Sequence, residues 1–291
     1  MFKLSVISDE ISQDFERVLQ VCQEYDVPMV EPRSVWDKAP QELSDSDLTK
    51  MKKLLDEYDM GVCSIASPFL KCDLGDEKQY QEHLDILRRC IHMAHVFECK
   101  IIRGFTFWRT GPPEDVWQQL LDAYEEPIKI CEREDVYIGI ENEASTHIGS
   151  AAEAEKLYND LASPRVRAIW DPANEVFAEG GELPYPDAFE RMKSYLIHVH
   201  IKDAVKTDKP EKGKCVPVGE GGYIDYPGQF QALIDMGYEG ACSLETHWRP
   251  EEELDRDLLD EPGGASFSAT GEPASRICLD NIMEIMSGLD Y

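Results

Sequence analysis

Val136-Tyr137-Ile138-Gly139-Ile140-Glu141, then Ser150-Ala151-Ala152-Glu153, then Val166-Arg167-Ala168-Ile169-Trp170-Asp171 together make one full structural period of the chain. The first and last runs are short and apolar, and each stops on an acid. Between them, Ser150 and Glu153 stand three positions apart at the head of a stretch with helical period. In that pairing hydroxyl and carboxylate together satisfy spare N–H groups of a helix start. The stretch reads as strand, helix, strand, with a carboxylate at the end of each strand.

The same rhythm extends in both directions. Upstream, Phe2–Ile7 is a strand, and Phe15, Val18, Leu19, Cys22 and Tyr25 recur at spacings of three and four, one face of a helix. Pro28–Glu31 is the second strand. Leu48, Met51, Leu55 and Tyr58 mark the next helix, with Ser44 or Ser46 as N-cap. Gly61–Ala66 is the third strand, Tyr80, Leu84, Leu87, Ile91 and Ala94 mark a long helix, and Lys100–Arg103 is the fourth strand. A helical stretch from about Glu114 to Arg133 should kink or divide at Pro127, which lacks an N–H. Downstream, Phe189–Ser194 ends a short helix, Tyr195–Ile201 is a strand, Gln229–Met236 a helix, Gly240–Leu244 a strand and Arg276–Met286 a closing helix. Eight strand–helix units predict an α/β fold, a single (β/α)8 TIM barrel over residues 1–291. A doubly wound sheet, the main rival, does not call for eight such regular units. The longest irregular stretch, at about 246–275, follows the eighth strand and is therefore placed over the C-terminal mouth, as a lid or a disordered loop.

Composition narrows the function classes. A formal net charge of −29 argues against a nucleic-acid partner, which needs a basic footprint, and against anionic membranes. There is no apolar run of membrane-spanning length, and the N-terminus lacks the pattern of a signal peptide. The nine cysteines are scattered, without a Cys-x-x-Cys pair, which fits a reduced, cytoplasmic setting rather than a disulfide framework. Gly219-Glu220-Gly221-Gly222 does not follow a strand and open a helix, so it is a loop needing positive φ rather than a dinucleotide fingerprint.

Barrel active sites are built where strands run out into the following loops. The fifth strand ends at Glu141, the sixth at Asp171, the seventh carries His200 and the eighth ends at Glu245. Three unpaired carboxylates on one rim repel until something neutralises them. A divalent cation does so, and oxygen ligands with one imidazole suit Mn2+ foremost, while admitting Mg2+, Co2+ or Zn2+.

The segments Ile140-Glu141-Asn142-Glu143, Trp170-Asp171-Pro172-Ala173-Asn174, His198-Val199-His200-Ile201-Lys202-Asp203 and Ser243-Leu244-Glu245-Thr246 resemble the xylose isomerase-like TIM barrels. Within them the chain is most similar to the sugar phosphate isomerase/epimerase group, which takes in ketose 3-epimerases and inosose dehydratases. Ile7-Ser8-Asp9-Glu10, Val30-Glu31-Pro32-Arg33, Ser67-Pro68-Phe69-Leu70-Lys71 and Gly219–Tyr226 fit as well, so the resemblance covers nearly the whole chain. It implies one divalent metal held by Glu141, Asp171, His200 and Glu245, with Glu141 and Glu245 also exchanging protons with a substrate carbon, one on each face. It further implies a small carbohydrate substrate, proton removal beside a carbonyl and a metal-stabilised enediolate. The outcome is isomerisation or epimerisation, or, with a departing β-substituent, dehydration as in inosose dehydratases. A DNA-repair role of the endonuclease IV type would need more rim histidines and a less acidic chain.

The family's substrate-binding position six residues after the strand-five glutamate is His147 here. The histidine often found three after the strand-six aspartate is replaced by Asn174, which weakens a ketose 3-epimerase assignment. His198 and Lys202 share the face of His200, because strand side chains alternate. His198 is a substrate group or a hydrogen-bonded core residue; Lys202 neutralises the site or binds substrate, and Asp203 orients a loop. Arg33 and Lys71, after strands two and three, could meet a phosphate or carboxylate, or serve as surface ion pairs. Arg103 reads as an internal ion pair, Trp108 as an aromatic wall for a sugar ring or as packing, and His247 as lining of the mouth. The chain would act alone or as a homo-oligomer.

Overall fold

The computed structural model describes residues 1–206, 213–251, 254 and 256–290. Nine strands form one parallel sheet: β1 (Lys3–Ile7), β2 (Met29–Glu31), β3 (Gly61–Val62), β4 (Ile65–Phe69), β5 (Ile101–Gly104), β6 (Tyr137–Glu141), β7 (Val166–Trp170), β8 (Leu196–Ile201) and, past the antiparallel pair β9 (Asp203–Val205) and β10 (Lys214–Val216), β11 (Ala241–Leu244). The order β3-β2-β1-β11-β8-β7-β6-β5-β4 begins and ends on successive halves of one stave. Cys63 N–H donates to the Val30 carbonyl at 3.1 Å and Ala66 N–H to that of Pro32 at 3.0 Å, which carries the split stave past β2. The expected third strand, Gly61–Ala66, is thus broken at Cys63 and Ser64 and resumes to Phe69. The result is the eight-stave barrel that the strand count predicts.

Helices cover the outside, joined to the staves by their apolar faces. Helix Phe15–Glu24 buries Val18, Leu19 and Cys22; helix Asp45–Tyr58, capped by Ser44, buries Leu48, Met51 and Leu55. Each such leucine or valine contributes roughly 1.5–3 kcal/mol relative to exposure. Ser150 and Glu153 form the expected capping box of helix Ala151–Leu161. The stretch around Pro127 divides at Tyr124, not at the proline, into helices Trp117–Ala123 and Glu125–Glu134. Pro127 lies in the first turn of the second helix, where a missing N–H removes no intrahelical bond.

The interior follows the two-residue alternation of strands. Gly139 shares the inward face of Glu141, and a Cβ there would lie 2.6 Å from Ile169 Cγ1, so glycine makes room for the facing isoleucine. Below the mouth, Ser5, Cys63, His198 and Ser243 join in a buried polar layer, with His198 Nε2 3.0 Å from Ser243 Oγ and Cys63 Sγ 3.1 Å from Ser5 Oγ. All nine cysteines are free.

Two loops at the mouth depart from or extend the sequence reading. The Gly219–Gly222 turn takes positive φ at Gly219 (78°) and Gly221 (76°), and Asp203 orients it by accepting from Gly219, Ala204 and Ile224 N–H. The stretch expected to be irregular contains helices Arg256–Asp260 and Gly264–Ser268, and the closing helix starts at Gly271, five residues earlier than Arg276. Residues 252, 253 and 255 of that stretch lie outside the described residues. Phe267 is the physical reason for order here: it is fully buried, with Arg33 and Arg249 stacked on its ring, each 4.8 Å from the centroid. Among the described residues no helix is long and apolar enough to cross a membrane.

Candidate active site

Glu141 is the last residue of β6, Asp171 the first after β7, His200 the penultimate residue of β8 and Glu245 the first after β11. These four adjacent staves bring three carboxylates and an imidazole together, all buried, with one ligand atom from each inside a 4.8 Å span. His200 Nδ1 lies 3.3 Å from Glu141 Oε1 and 3.5 Å from Glu245 Oε2, so it faces the centre of the group. Nε2 of the same ring points the other way, 3.4 Å from Glu31 Oε2. A ligating histidine held from behind by a carboxylate is the usual arrangement in metal sites.

The donor set fits a divalent ion. Asp171 Oδ1 accepts from Ala173 and Asn174 N–H, capping the short helix Pro172–Phe177, and Asn142 ties the aspartate backbone from both sides. Asp171 Oδ2 is buried with Lys202 Nζ 2.7 Å away as its charge partner. Oxygen ligands and one imidazole converging within one 4.8 Å span suit the hard and borderline metals.

Cations surround this group closely. Lys202 Nζ bridges Asp171 and Glu245, at 2.7 and 2.9 Å. Arg103 Nη1 is 3.1 Å from Glu141 and 3.8 Å from Glu245, as an internal ion pair, and its other nitrogens donate to the Ser67 and Ala66 carbonyls. Burial pushes Asp171 up to about 7, with Lys202 opposing it. Burial also works against ionised Glu245, but Lys202 and His247 outweigh it and hold that carboxyl well below the usual range. Likewise burial disfavours charge on His200, and Glu141 and Glu31 overcome it, raising the imidazole well above its ordinary value. A bound divalent ion would reverse that last effect, since a ligating nitrogen carries no proton.

The other predicted residues fall into distinct places. Asn174 Nδ2 donates to Glu141 Oε1 at 3.1 Å and to the Asn142 carbonyl at 2.8 Å, so it orients the Glu141 carboxylate. Lys71 is buried against Phe105 (4.4 Å) and Trp108 (5.6 Å), donates to the Asp260 carbonyl and lies 4.0 Å from Glu143. His147 is buried with no hydrogen-bond partner on either ring nitrogen, and burial, then Arg109, lower its pKa. His198 sits below the ligands, 2.8 Å from Glu31, and lines a cavity of about 330 Å³ at the opposite end of the barrel with Cys63 and Cys99. Arg33 is not free: its nitrogens meet Asp9, Glu10 and Glu245 at 2.9, 2.8 and 2.7 Å.

Sequence reasoning did not assign Asp9, Glu10 or Glu31. Glu31 ends the second strand, so the rule that picked Glu141 would have found it. Asp9 and Glu10 lie in a short 3-10 turn after β1 whose inward aim has no linear signature. His247, expected to line the mouth, is buried 3.3 Å from Glu10 and 3.4 Å from Glu245, and burial pulls its pKa well below the ordinary imidazole value.

A family model described as xylose isomerase-like TIM barrel matches residues 19–261. An inosose dehydratase from Glaesserella parasuis serovar 5 (strain SH0165) is 23% identical over 228 residues, 70% of this chain and 75% of that protein. Another from Histophilus somni (strain 129Pt) is 25% identical over 150 residues, 47% of this chain; the match spans half the length of that relative. Among solved structures, an IOLI protein with a binding zinc atom superposes with a TM-score of 0.77 at 17% identity, covering 99% of both chains. An L-ribulose 3-epimerase gives 0.72 at 17% identity, over 99% of this chain and 95% of that one. These structural likenesses speak for the fold.

Proposed function

The chain belongs to the xylose isomerase-like TIM barrel family, and on that premise we propose that it is a divalent-metal-dependent isomerase or epimerase of a sugar, sugar phosphate or polyol ketone. Glu141, Asp171, His200 and Glu245 hold the ion, Mn2+ foremost, and Glu141 and Glu245 are the catalytic carboxylates. The single observation that supports this reading is that His200 Nδ1 lies 3.3 Å from Glu141 and 3.5 Å from Glu245, in a group whose four ligand-type atoms, Asp171's included, fall within 4.8 Å of one another.

The bound ion would supply a Lewis acid that acidifies the C–H bond beside a substrate carbonyl. One glutamate takes that proton, and the electron pair moves onto the carbonyl oxygen. Lys202 and Arg103, already within 4 Å of the ligand carboxylates, offset the developing negative charge. The opposite glutamate returns a proton to the other face. Asn174 keeps Glu141 in place through its amide. Lys71 and Trp108, with His147, are assigned to the substrate side of the mouth.

A second reading rests on the named relatives, both inosose dehydratases. The same proton removal, followed by departure of a β-hydroxyl that takes up a proton and leaves as water, gives a lyase on the same site. The substrate decides: a ketone with a β-hydroxyl set to leave dehydrates; one without it returns the proton. The reaction is placed on a small carbohydrate in the cytoplasm.

The test is incubation of the Mn2+-loaded protein with keto-sugars and an inosose in D2O. Carbon-bound deuterium in recovered sugar supports epimerisation, and a dehydrated product supports the lyase. Solvent exchange that survives complete metal stripping, or that survives in both Glu141→Gln and Glu245→Gln, ends the proposal.

A further inference from the structure

Glu245 stands between two groups of donors, and only one of them is the site described above. Its Oε2 faces Lys202 and His200; its Oε1 faces Arg33 and His247. On the Oε1 side, His247 Nε2 lies 3.3 Å from Glu10 Oε1 and 3.4 Å from Glu245 Oε1, and all three side chains are buried. Separations of about 3–3.5 Å are what ligand atoms show when each is about 2 Å from a common ion. Two carboxylates and an imidazole within 4.8 Å of one another form a donor set of the same kind as the first.

This second position already has a positive occupant. Arg33 Nη1 is 2.7 Å from Glu245 Oε1 and 3.3 Å from His247 Nε2, and Nη2 is 2.8 Å from Glu10 Oε1. Asp9 Oδ1 accepts from Arg33 Nε, while Asp9 Oδ2 is buried with no hydrogen-bond partner. A guanidinium whose two terminal nitrogens reach three metal-type donors does the electrostatic task of an ion without being one. Guanidinium is always charged and cannot leave the protein, so a position it fills stays filled at any metal concentration.

We propose that Arg33 is the resident cation of a second metal-type site made by Glu10, Glu245 and His247, and that this site takes a divalent ion once the guanidinium is removed. In the intact chain Arg33 is then a positioning residue: it pins Oε1 of Glu245 so that Oε2 alone faces His200. The inference shares Glu245 with the proposed function but concerns a different set of donors.

The test is metal counting by mass spectrometry on wild type, Arg33→Met and Arg33→Met/His247→Ala after equilibration with Mn2+ or Co2+, with the Co2+ visible spectrum as a second readout. Arg33→Met should hold one ion per chain more than wild type and show an added Co2+ band set, and the double variant should lose both. Asp9→Asn/Arg33→Met removes one carboxylate with the guanidinium and carries the same test if the single variant does not fold. Equal counts in wild type and folded Arg33→Met (or Asp9→Asn/Arg33→Met where the single variant does not fold), or a wild type that takes the extra ion itself at millimolar metal, overturn the proposal. A wild-type count of zero would strike the metal-dependent function instead, and the increment between variants would still decide this one.

Discussion

The two halves of the barrel mouth distribute their fixed cations differently. The second half, β6 to β11, contributes Glu141, Asp171 and Glu245 with His200; the first half contributes Arg33 after β2, Lys71 after β4 and Arg103 on β5. The division is not complete: Lys202, after β8, is an ammonium set among the acids, and Asp9, Glu10 and Glu31 are buried carboxylates of the first half, paired with Arg33, His198 and His200. The anionic wall alone would be untenable in a buried site, because three carboxylates desolvated together cannot all ionise without help. Facing it with fixed cations holds the pKa of Glu141 and Glu245 down while burial still lifts that of Asp171 to about 7, and it pre-shapes the position proposed for a divalent ion. On a chain of net charge −29, this local reversal also explains how an acidic protein could stabilise a negatively charged substrate state.

The largest effect should come from breaking the anionic wall. Glu141→Gln and Glu245→Gln keep shape and remove the base, and each should lower kcat by about 10²–10⁴. Their partners separate them. Glu245 is held by Lys202 and Arg33, whereas Glu141 is held by Arg103, Asn174 and His200. Deuterium exchange and product formation, measured separately, should therefore fail at different steps, one variant losing wash-in and the other losing turnover after wash-in. Identical defects would mean that the two carboxylates do not act on opposite faces.

Breaking the cationic wall should have a smaller and conditional effect. Arg103→Met leaves Glu141 buried without its guanidinium, a loss of about 3–5 kcal/mol for a broken buried pair. Saturating Mn2+ should recover much of that, because the ion supplies the missing positive charge. Urea unfolding in EDTA and in Mn2+ reads the difference directly. The same cost in both buffers would show that Arg103 is a packing element of the barrel interior and not part of the charge balance.

How this division was legible in the sequence depends on distance along the chain. Glu141, Asp171, His200 and Glu245 announce themselves because each ends or nearly ends a short β-rich run, and strand ends converge in a barrel. The capping box at Ser150 and the loop glycines 219 and 221 are local chemistry and read correctly for that reason. Arg33 is legible as a rim cation that meets a substrate anion or a surface ion pair, but that its ion pairs are buried is not, since Asp9, Glu10 and Glu245 lie up to 212 positions away and nothing local records them. Pro127 misled because its effect on a helix depends on whether it falls in the first turn, a matter of where Tyr124 ends the preceding helix. The short helix Gly264–Ser268 is not legible because its order comes from Phe267 packing under Arg33 and Arg249, not from helical periodicity of its own.

Glu175 offers the subtlest check, because it is a buried carboxylate of the anionic half that has no cation at hand. Its oxygens accept from Ala151 and Glu182 N–H, both at 2.7 Å, and burial still pushes it up to about 7. Glu245, equally buried, goes the other way, above all because Lys202 stands beside it. For Glu175 the folded pKa lies above the unfolded value of 4.5. Between those two values the native state keeps a proton that the unfolded state has released, so stability falls as pH rises through that window and is level above it. The full shift corresponds to about 3 kcal/mol at most. Glu175→Gln cannot titrate, but its single carbonyl serves only one of the two N–H donors, which costs about 1–2 kcal/mol. The variant should thus be the less stable protein near pH 5 and close on or pass wild type by pH 8, in denaturation curves taken in EDTA so that the metal ligands do not contribute. Parallel curves across that range would mean that the two backbone donors alone keep Glu175 ionised, and that a buried carboxylate in this half of the barrel needs no cation.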